Sequence, residues 1–231
     1  MTVESCPGPT SDAAGAPDRV GVGGLAVHRL TLRRRGLVLV SDLRIRVEAG
    51  TTLAVMGPSG AGKTTLLRAI AGLSDDAADS MTRSADRVAV VFQDPRLLPW
   101  RTALANVELV CPDDLERARH WLDAVGLADA ADLFPAQLSG GMRQRVAVAR
   151  ALAFDAPLVV VDEPFASLDD ATATALRDEL VAHLARTHRT VLWVTHSPAE
   201  ATSVASATLH LAGPPNGDWR LTQHNEAGDP R

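Results

Sequence analysis

The chain predicts an α/β fold in which a mainly parallel sheet follows an N-terminal antiparallel β layer and is interrupted by an inserted helical block. Three observations point there. Apolar runs of strand length at 53–56, 88–92, 158–161 and 190–195 alternate with helical stretches, and unbroken apolar runs suit strands buried on both faces. The stretch Gly57-Pro58-Ser59-Gly60-Ala61-Gly62-Lys63-Thr64-Thr65 lies between a strand and a helix. From about residue 98 to 153, helical periodicity replaces strand signals.

In order, residues 1–22 are mostly Gly, Pro, Ala, Ser and Asp. Such a composition buries too little surface to offset ordering entropy, so it predicts a disordered tail. Alternation over 25–32 predicts the first strand, and 37–40 and 43–47 read as two more. Ala49 and Gly50 turn the chain into the strand near Leu53, and a helix over 63–71 follows the glycine loop. Residues 72–80 are rich in breakers. The strand at 88–92 ends in Gln93-Asp94-Pro95, because proline cannot donate to a ladder. Helices are predicted at 104–110, 113–125, 128–134 and 141–153. A helix over 170–185 places Ala173, Leu176, Leu180 and Leu184 on one face. A short strand at 207–211 comes last, and the prolines and glycines from Gly213 predict a loose end. The organisation is then a tail at 1–22, one domain at 23–212 with a helical subdomain inserted at about 98–153, and a tail at 213–231.

At 231 residues, 46% hydrophobic and 22% charged, the composition is that of a globular protein with an adequate core. No apolar run approaches the roughly 20 residues of a membrane span, and the N-terminus does not read as a signal peptide. A net charge of −5 argues against a nucleic-acid partner, whose footprint is basic. Cys6 and Cys111 are the two cysteines. They have neither a disulfide framework nor metal-ligand spacing.

The chemistry collects at the predicted strand ends, where an open α/β sheet presents its ligand. Strand, glycine loop and helix together make 57–65 a phosphate-binding loop: its backbone N–H groups face one concavity and the helix adds its positive end. Lys63 would reach the β- and γ-phosphates, and Thr64 would offer its hydroxyl to Mg²⁺. Asp162, directly after an apolar strand, can hold the same cation. Glu163 is free to polarise a water for attack on the γ-phosphorus. Gln93 has the reach to touch metal or water, and His196 could donate to a γ-phosphate oxygen. A second anion-binding terminus is encoded by Leu138-Ser139-Gly140-Gly141-Met142 and the following Arg143-Gln144-Arg145, with Ser139 as N-cap. It falls too far from Lys63 for one nucleotide, so two copies facing head to tail would complete the site.

These residues resemble the ATP-binding-cassette ATPases over about 190 residues, from Leu25 to near Leu211. The 57–65 loop is similar to Walker A, Gln93 to the Q-loop glutamine, and 138–144 to the signature motif. Residues 159–163 are similar to Walker B with its catalytic glutamate, Ser167-Leu168-Asp169 to the D-loop, and His196 to the switch histidine. The resemblance implies a P-loop NTPase with a RecA-like core that hydrolyses ATP with Mg²⁺. It also implies a nucleotide-sandwich homodimer, integral-membrane permease subunits and a solute-binding receptor as partners, and a cytoplasmic location, peripheral on the inner face of the cell membrane. The run Leu97-Leu98-Pro99-Trp100 is similar to importers of the nitrate, sulfonate, taurine and thiamine-precursor group. There it would border the groove for a permease helix; the plain reading is that these side chains cover the core. An exporter subunit and a soluble non-transport cassette remain the alternatives.

Three departures accompany the resemblance. The chain has no Tyr, and the position of the usual adenine-stacking aromatic falls at 33–35, with Arg34 the candidate, since a guanidinium can stack on a base. The spacing from Lys63 to Gln93 implies a trimmed β layer. The Asp-Arg pair expected near 205–208 is absent, implying a poorly anchored end.

Overall fold

Strands β1 (Leu25–Arg34) and β2 (Leu37–Val47) form an antiparallel hairpin, and β4 (Met81–Arg83) pairs with the start of β1 in a three-stranded sheet. This computed structural model describes residues 23–74, 81–83, 85–165 and 170–224. The expectations for 1–22, 75–80, the D-loop residues Ser167, Leu168 and Asp169, and 225–231 lie outside the described residues. Sequence alternation suggests two strands at 37–40 and 43–47. They are one, bent where Asp42 takes φ 47° and the pairing with β1 shifts register.

The second sheet has six strands. It contains β3 (Thr52–Met56), β5 (Val88–Val91), β6 (Leu158–Asp162), β7 (Thr190–Val194), β8 (Ala207–Gly213) and β9 (Asp218–Gln223), ordered β5-β6-β7-β3-β8-β9. Every neighbouring pair is parallel except β8 with β9. Alternate residues of the central strands serve two cores. Leu158, Val160, Leu192 and Val194 face α1 (Lys63–Ile70) and the antiparallel layer, meeting Leu66, Ile70, Leu30 and Leu43. Val159, Val161, Val191 and Trp193 face the helices on the other side. Each fully buried leucine or valine there contributes about 1.5–3 kcal/mol, which is why these strands read as unbroken apolar runs.

Between β5 and β6 lie α2 (Ala103–Glu108), α3 (Leu115–Ala124) and α4 (Gly140–Ala153), capped by Thr102, Asp114 and Ser139. The helix expected at 128–134 does not form; there are two 3-10 turns, Ala128–Ala130 and Pro135–Gln137. The carbonyls of Ala131 and Leu133 instead accept from the N–H groups of Leu104 and Ala103 at 2.9 and 2.8 Å. They satisfy the donors that the start of α2 leaves free. Helix α5 (Asp170–Arg186) packs Leu180 and Leu184 into the core, with Ala173 and Leu176 against it.

Two expectations for the C-terminal part are corrected. Residues beyond Gly213 are not a loose end throughout: 213–217 form a turn closed by Gly217 N–H on Gly213 O at 3.0 Å, and β9 pairs with β8. Trp219 fixes the hairpin by donating to Ser41 O at 3.1 Å. Nor is the stretch after His196 poorly anchored. α6 (Pro198–Val204) leads into β8, which pairs with β3 from Leu53↔Ala207 onward, and Ser206 N–H donates to Thr52 O at 3.2 Å. Among the described residues no helix is long and apolar enough to cross a membrane.

Candidate functional site

β3 delivers the glycine loop to the carboxyl edge of the parallel sheet, and α1 leaves it. A Cβ on Gly57 would lie 2.4 Å from the Leu211 carbonyl oxygen, so only glycine lets the loop pass β8. Gly62 caps α1 at φ 99°, and a Cβ there would meet Leu39 Cβ at 2.9 Å. The Lys63 ammonium donates to Gly57 O at 2.8 Å and Pro58 O at 3.2 Å, folded over the loop it rises from.

Across the cleft, the Thr64 hydroxyl donates to Asp162 Oδ2 at 3.0 Å. β6 carries Asp162, with β7 lying between β6 and β3. Burial lifts the Asp162 carboxyl above the ordinary carboxylate value, and the Glu163 charge adds to this. The Thr64 hydrogen bond and Lys63 oppose the shift. Glu163 follows in the left-handed region at φ 44°, uncommon for a residue with a long side chain. Its N–H is held by Val194 O at 3.2 Å, and its carboxylate lies 3.8 Å from His196 Nδ1. Strain of this kind concentrates at functional sites.

Lys63, Thr64, Gln93, Asp162 and Glu163 line one cleft of about 760 Å³. Ser59, Gly60, Gly62 and Thr65 form its floor. Arg34 lies on its wall with Arg35 and Leu37, at the tip of the β1–β2 hairpin. His196 lies beside it, its side chain 72% exposed. The structure does not bring Ser139 into this cleft. Ser139 and Gly140 are exposed at the start of α4, where the Ser139 hydroxyl accepts from Met142 N–H at 3.2 Å. Arg143 stiffens the approach by donating to Leu138 O at 2.7 Å.

Sequence reasoning missed Glu200. Its carboxylate accepts from the Thr195 hydroxyl and, at 3.3 Å, from the buried Trp193 indole. Its own N–H donates to Ser197 Oγ at 3.3 Å. The residues on both sides of His196 are thereby tied to Glu200, Thr195 through its carboxylate and Ser197 through its N–H. A signal was present: Ser197-Pro198-Ala199-Glu200 has capping-box spacing with proline at the first helical position.

A strand–glycine loop–helix unit facing a buried aspartate at the end of a parallel strand of the same sheet defines the class, a phosphate-loop NTPase. A family model described as ABC transporter matches residues 40–166. The chain is 41% identical over 190 residues to the aliphatic sulfonates import ATP-binding protein SsuB 1 of Paracoccus denitrificans (strain Pd 1222), covering 81% of this chain and 78% of the relative. It is 45% identical over 181 residues to the aliphatic sulfonates import ATP-binding protein SsuB of Mycobacterium sp. (strain MCS), covering 75% and 74%. Among solved structures, it is similar to the ATP-binding cassette MJ0796 in a dimeric post-hydrolysis state bound to ADP and Pi. There the TM-score is 0.75 at 27% identity, over 87% of this chain and 98% of the other. The chain belongs to the ABC transporter family, as its ATP-hydrolysing cassette component.

Proposed function

We propose that this ATPase drives a separate membrane permease for uptake of a small solute of the nitrate, sulfonate, taurine or thiamine-precursor type, with a solute-binding receptor in the same system. The importer reading is supported by the names of the relatives above and by Trp100, which is 71% exposed while Leu97 packs against the helical core. A site on the inner face of the cell membrane follows from a permease partner.

The observation that carries the catalytic reading is the meeting of Thr64 and Asp162 in the cleft that Lys63, Gln93 and Glu163 also line. Lys63 leaves Gly57 O and Pro58 O to hold the β- and γ-phosphates, while the N–H groups of 57–65 cradle the chain of phosphates. The donor set fits Mg²⁺. One hydroxyl and one buried carboxylate are hard oxygen donors that leave other positions to phosphate and water oxygens. Bound there, Mg²⁺ would neutralise charge on the phosphates during transfer. Gln93 reaches metal or water from the same wall, Glu163 accepts the proton of the attacking water, and His196 donates to a γ-phosphate oxygen. Arg34 stacks on the base. Exposed Ser139, with Gly141 behind it, closes over the nucleotide of a second copy, and the helical block at about 98–153 moves as its own subdomain.

Glu163→Gln tests this. The variant should bind ATP as the parent does, lose turnover by at least about a hundredfold, and run as a dimer on size exclusion with ATP present. Parental turnover would remove Glu163 from its role.

A further inference from the structure

Helix α4 starts at the exposed Ser139, yet farther along it grips the segment that carries Gln93. Gln144, 1% exposed, donates from Nε2 to Phe92 O at 3.1 Å. Two turns later Arg150 donates from Nη2 to Pro95 O at 2.9 Å and from Nη1 to Arg96 O at 3.1 Å. The three carbonyls bracket Gln93, and all lie beyond the end of β5, where the ladder no longer holds the chain. The segment is also tied to itself. Asp94 Oδ1 accepts from Arg96 N–H at 3.3 Å, and the Arg96 guanidinium lies over the Phe92 ring at 3.9 Å.

Burying Gln144 costs stability. Its neighbours Val146, Ala147 and Val148 pack as apolar groups, while its Oε1 is buried without a partner. Leucine would fill the same space without an orphaned acceptor. The amide therefore contributes something that packing does not need, a fixed position for the Phe92 carbonyl one residue before Gln93.

We propose that Gln144 and Arg150 are positioning residues for Gln93: through these three hydrogen bonds they fix the Gln93 segment to α4. The inference rests on the role proposed above for Gln93.

The test uses the full chain and four variants, Gln93→Ala, Gln144→Leu, the double variant, and Arg150→Lys, with steady-state ATPase assays titrated in ATP and in Mg²⁺. Gln144→Leu should lower kcat by about tenfold to a hundredfold, as a displaced polar group does. It should also raise the Mg²⁺ concentration for half-maximal rate and leave the KM for ATP within about twofold. The double variant should be no slower than Gln93→Ala, since both changes disable one group. Arg150→Lys, which loses the planar fork that sends one N–H to each carbonyl, should show the same Mg²⁺ shift in smaller degree, and it decides the matter if Gln144→Leu does not fold. Losses that multiply in the double variant, or parental Mg²⁺ dependence in both Gln144→Leu and Arg150→Lys, would overturn the positioning role. Parental turnover in Gln93→Ala would instead overturn the reading of Gln93 itself.

Discussion

The Thr64 hydroxyl and the Asp162 carboxylate lie 98 residues apart in sequence and 3.0 Å apart in space. The meeting holds a nearly buried acid whose charge is costly. Because the folded pKa of Asp162 is raised, the folded chain binds its proton more readily than the unfolded one. The cost is absent below the unfolded value of 3.8, and stability falls as pH rises through the window above it. Asp162→Asn should therefore raise the melting temperature of nucleotide-free protein at pH 7, lose the advantage near pH 3.5, and abolish hydrolysis. Thermal scans at the two pH values check the sign.

Lys63→Ala removes two hydrogen bonds to loop carbonyls but no core packing. The fold should persist, while ATP affinity drops by about tenfold to a hundredfold, the worth of a charge-assisted contact. In a Glu163→Gln background, ATP should no longer produce a dimer on size exclusion. Unchanged affinity in a binding titration would contradict the assignment of Lys63.

Ser139 caps α4, and on the function proposed above it also faces the nucleotide of a second copy. Aspartate caps a helix as well as serine, so Ser139→Asp should keep the melting temperature within about 2 °C, a change of no more than about 1 kcal/mol for a chain of this size. A carboxylate aimed at the partner's phosphates should cut turnover by at least about tenfold through charge repulsion. A stable variant with parental turnover would place no nucleotide opposite Ser139.

His183 titrates against the fold. Burial, then Arg189 and Arg186, push it from 6.5 to about 4, and its Nε2 is buried without a partner beside Trp121. The unfolded chain takes up the proton first, so stability is lost as pH falls from 6.5 towards 4. His183→Leu gives up an edge-on ring contact of about 0.5–1.5 kcal/mol and relieves an orphaned nitrogen of similar cost. It should be near neutral at pH 7 and should flatten the fall in melting temperature between pH 7 and pH 5.

Trp100→Ala should reduce co-purification with the membrane partner, since a central tryptophan commonly contributes about 2 kcal/mol or more to an interface. Basal ATPase activity and melting temperature should hold, because Trp100 is 71% exposed and lies outside the buried core. A destabilised variant would assign Trp100 to packing.

The parallel strands and the phosphate loop were legible in the sequence because burial on both faces and the need for glycine leave local marks. Leu158 to Val161 could be little else than a buried strand, and Gly57 to Thr65 little else than a loop for phosphate. What escaped was decided by tertiary partners. Residues 128–134 have helical periodicity, yet their carbonyls go to Ala103 and Leu104. The strand at Asp218 to Gln223 was hidden behind a turn of prolines and glycines that looked like an ending. Glu200 was missed because its partners, Trp193 and Thr195, belong to a strand read only for its hydrophobicity.

Apolar residues on both sides of β6 have a consequence for register. Sliding that strand one step against its neighbours would exchange one aliphatic surface for another, so oil alone barely opposes the slip. The acids at its tip do oppose it: drawn inward, they would carry negative charge into greasy surroundings with no cation to meet it. Asp162 and Glu163 thus act as an end-stop that aligns the sheet.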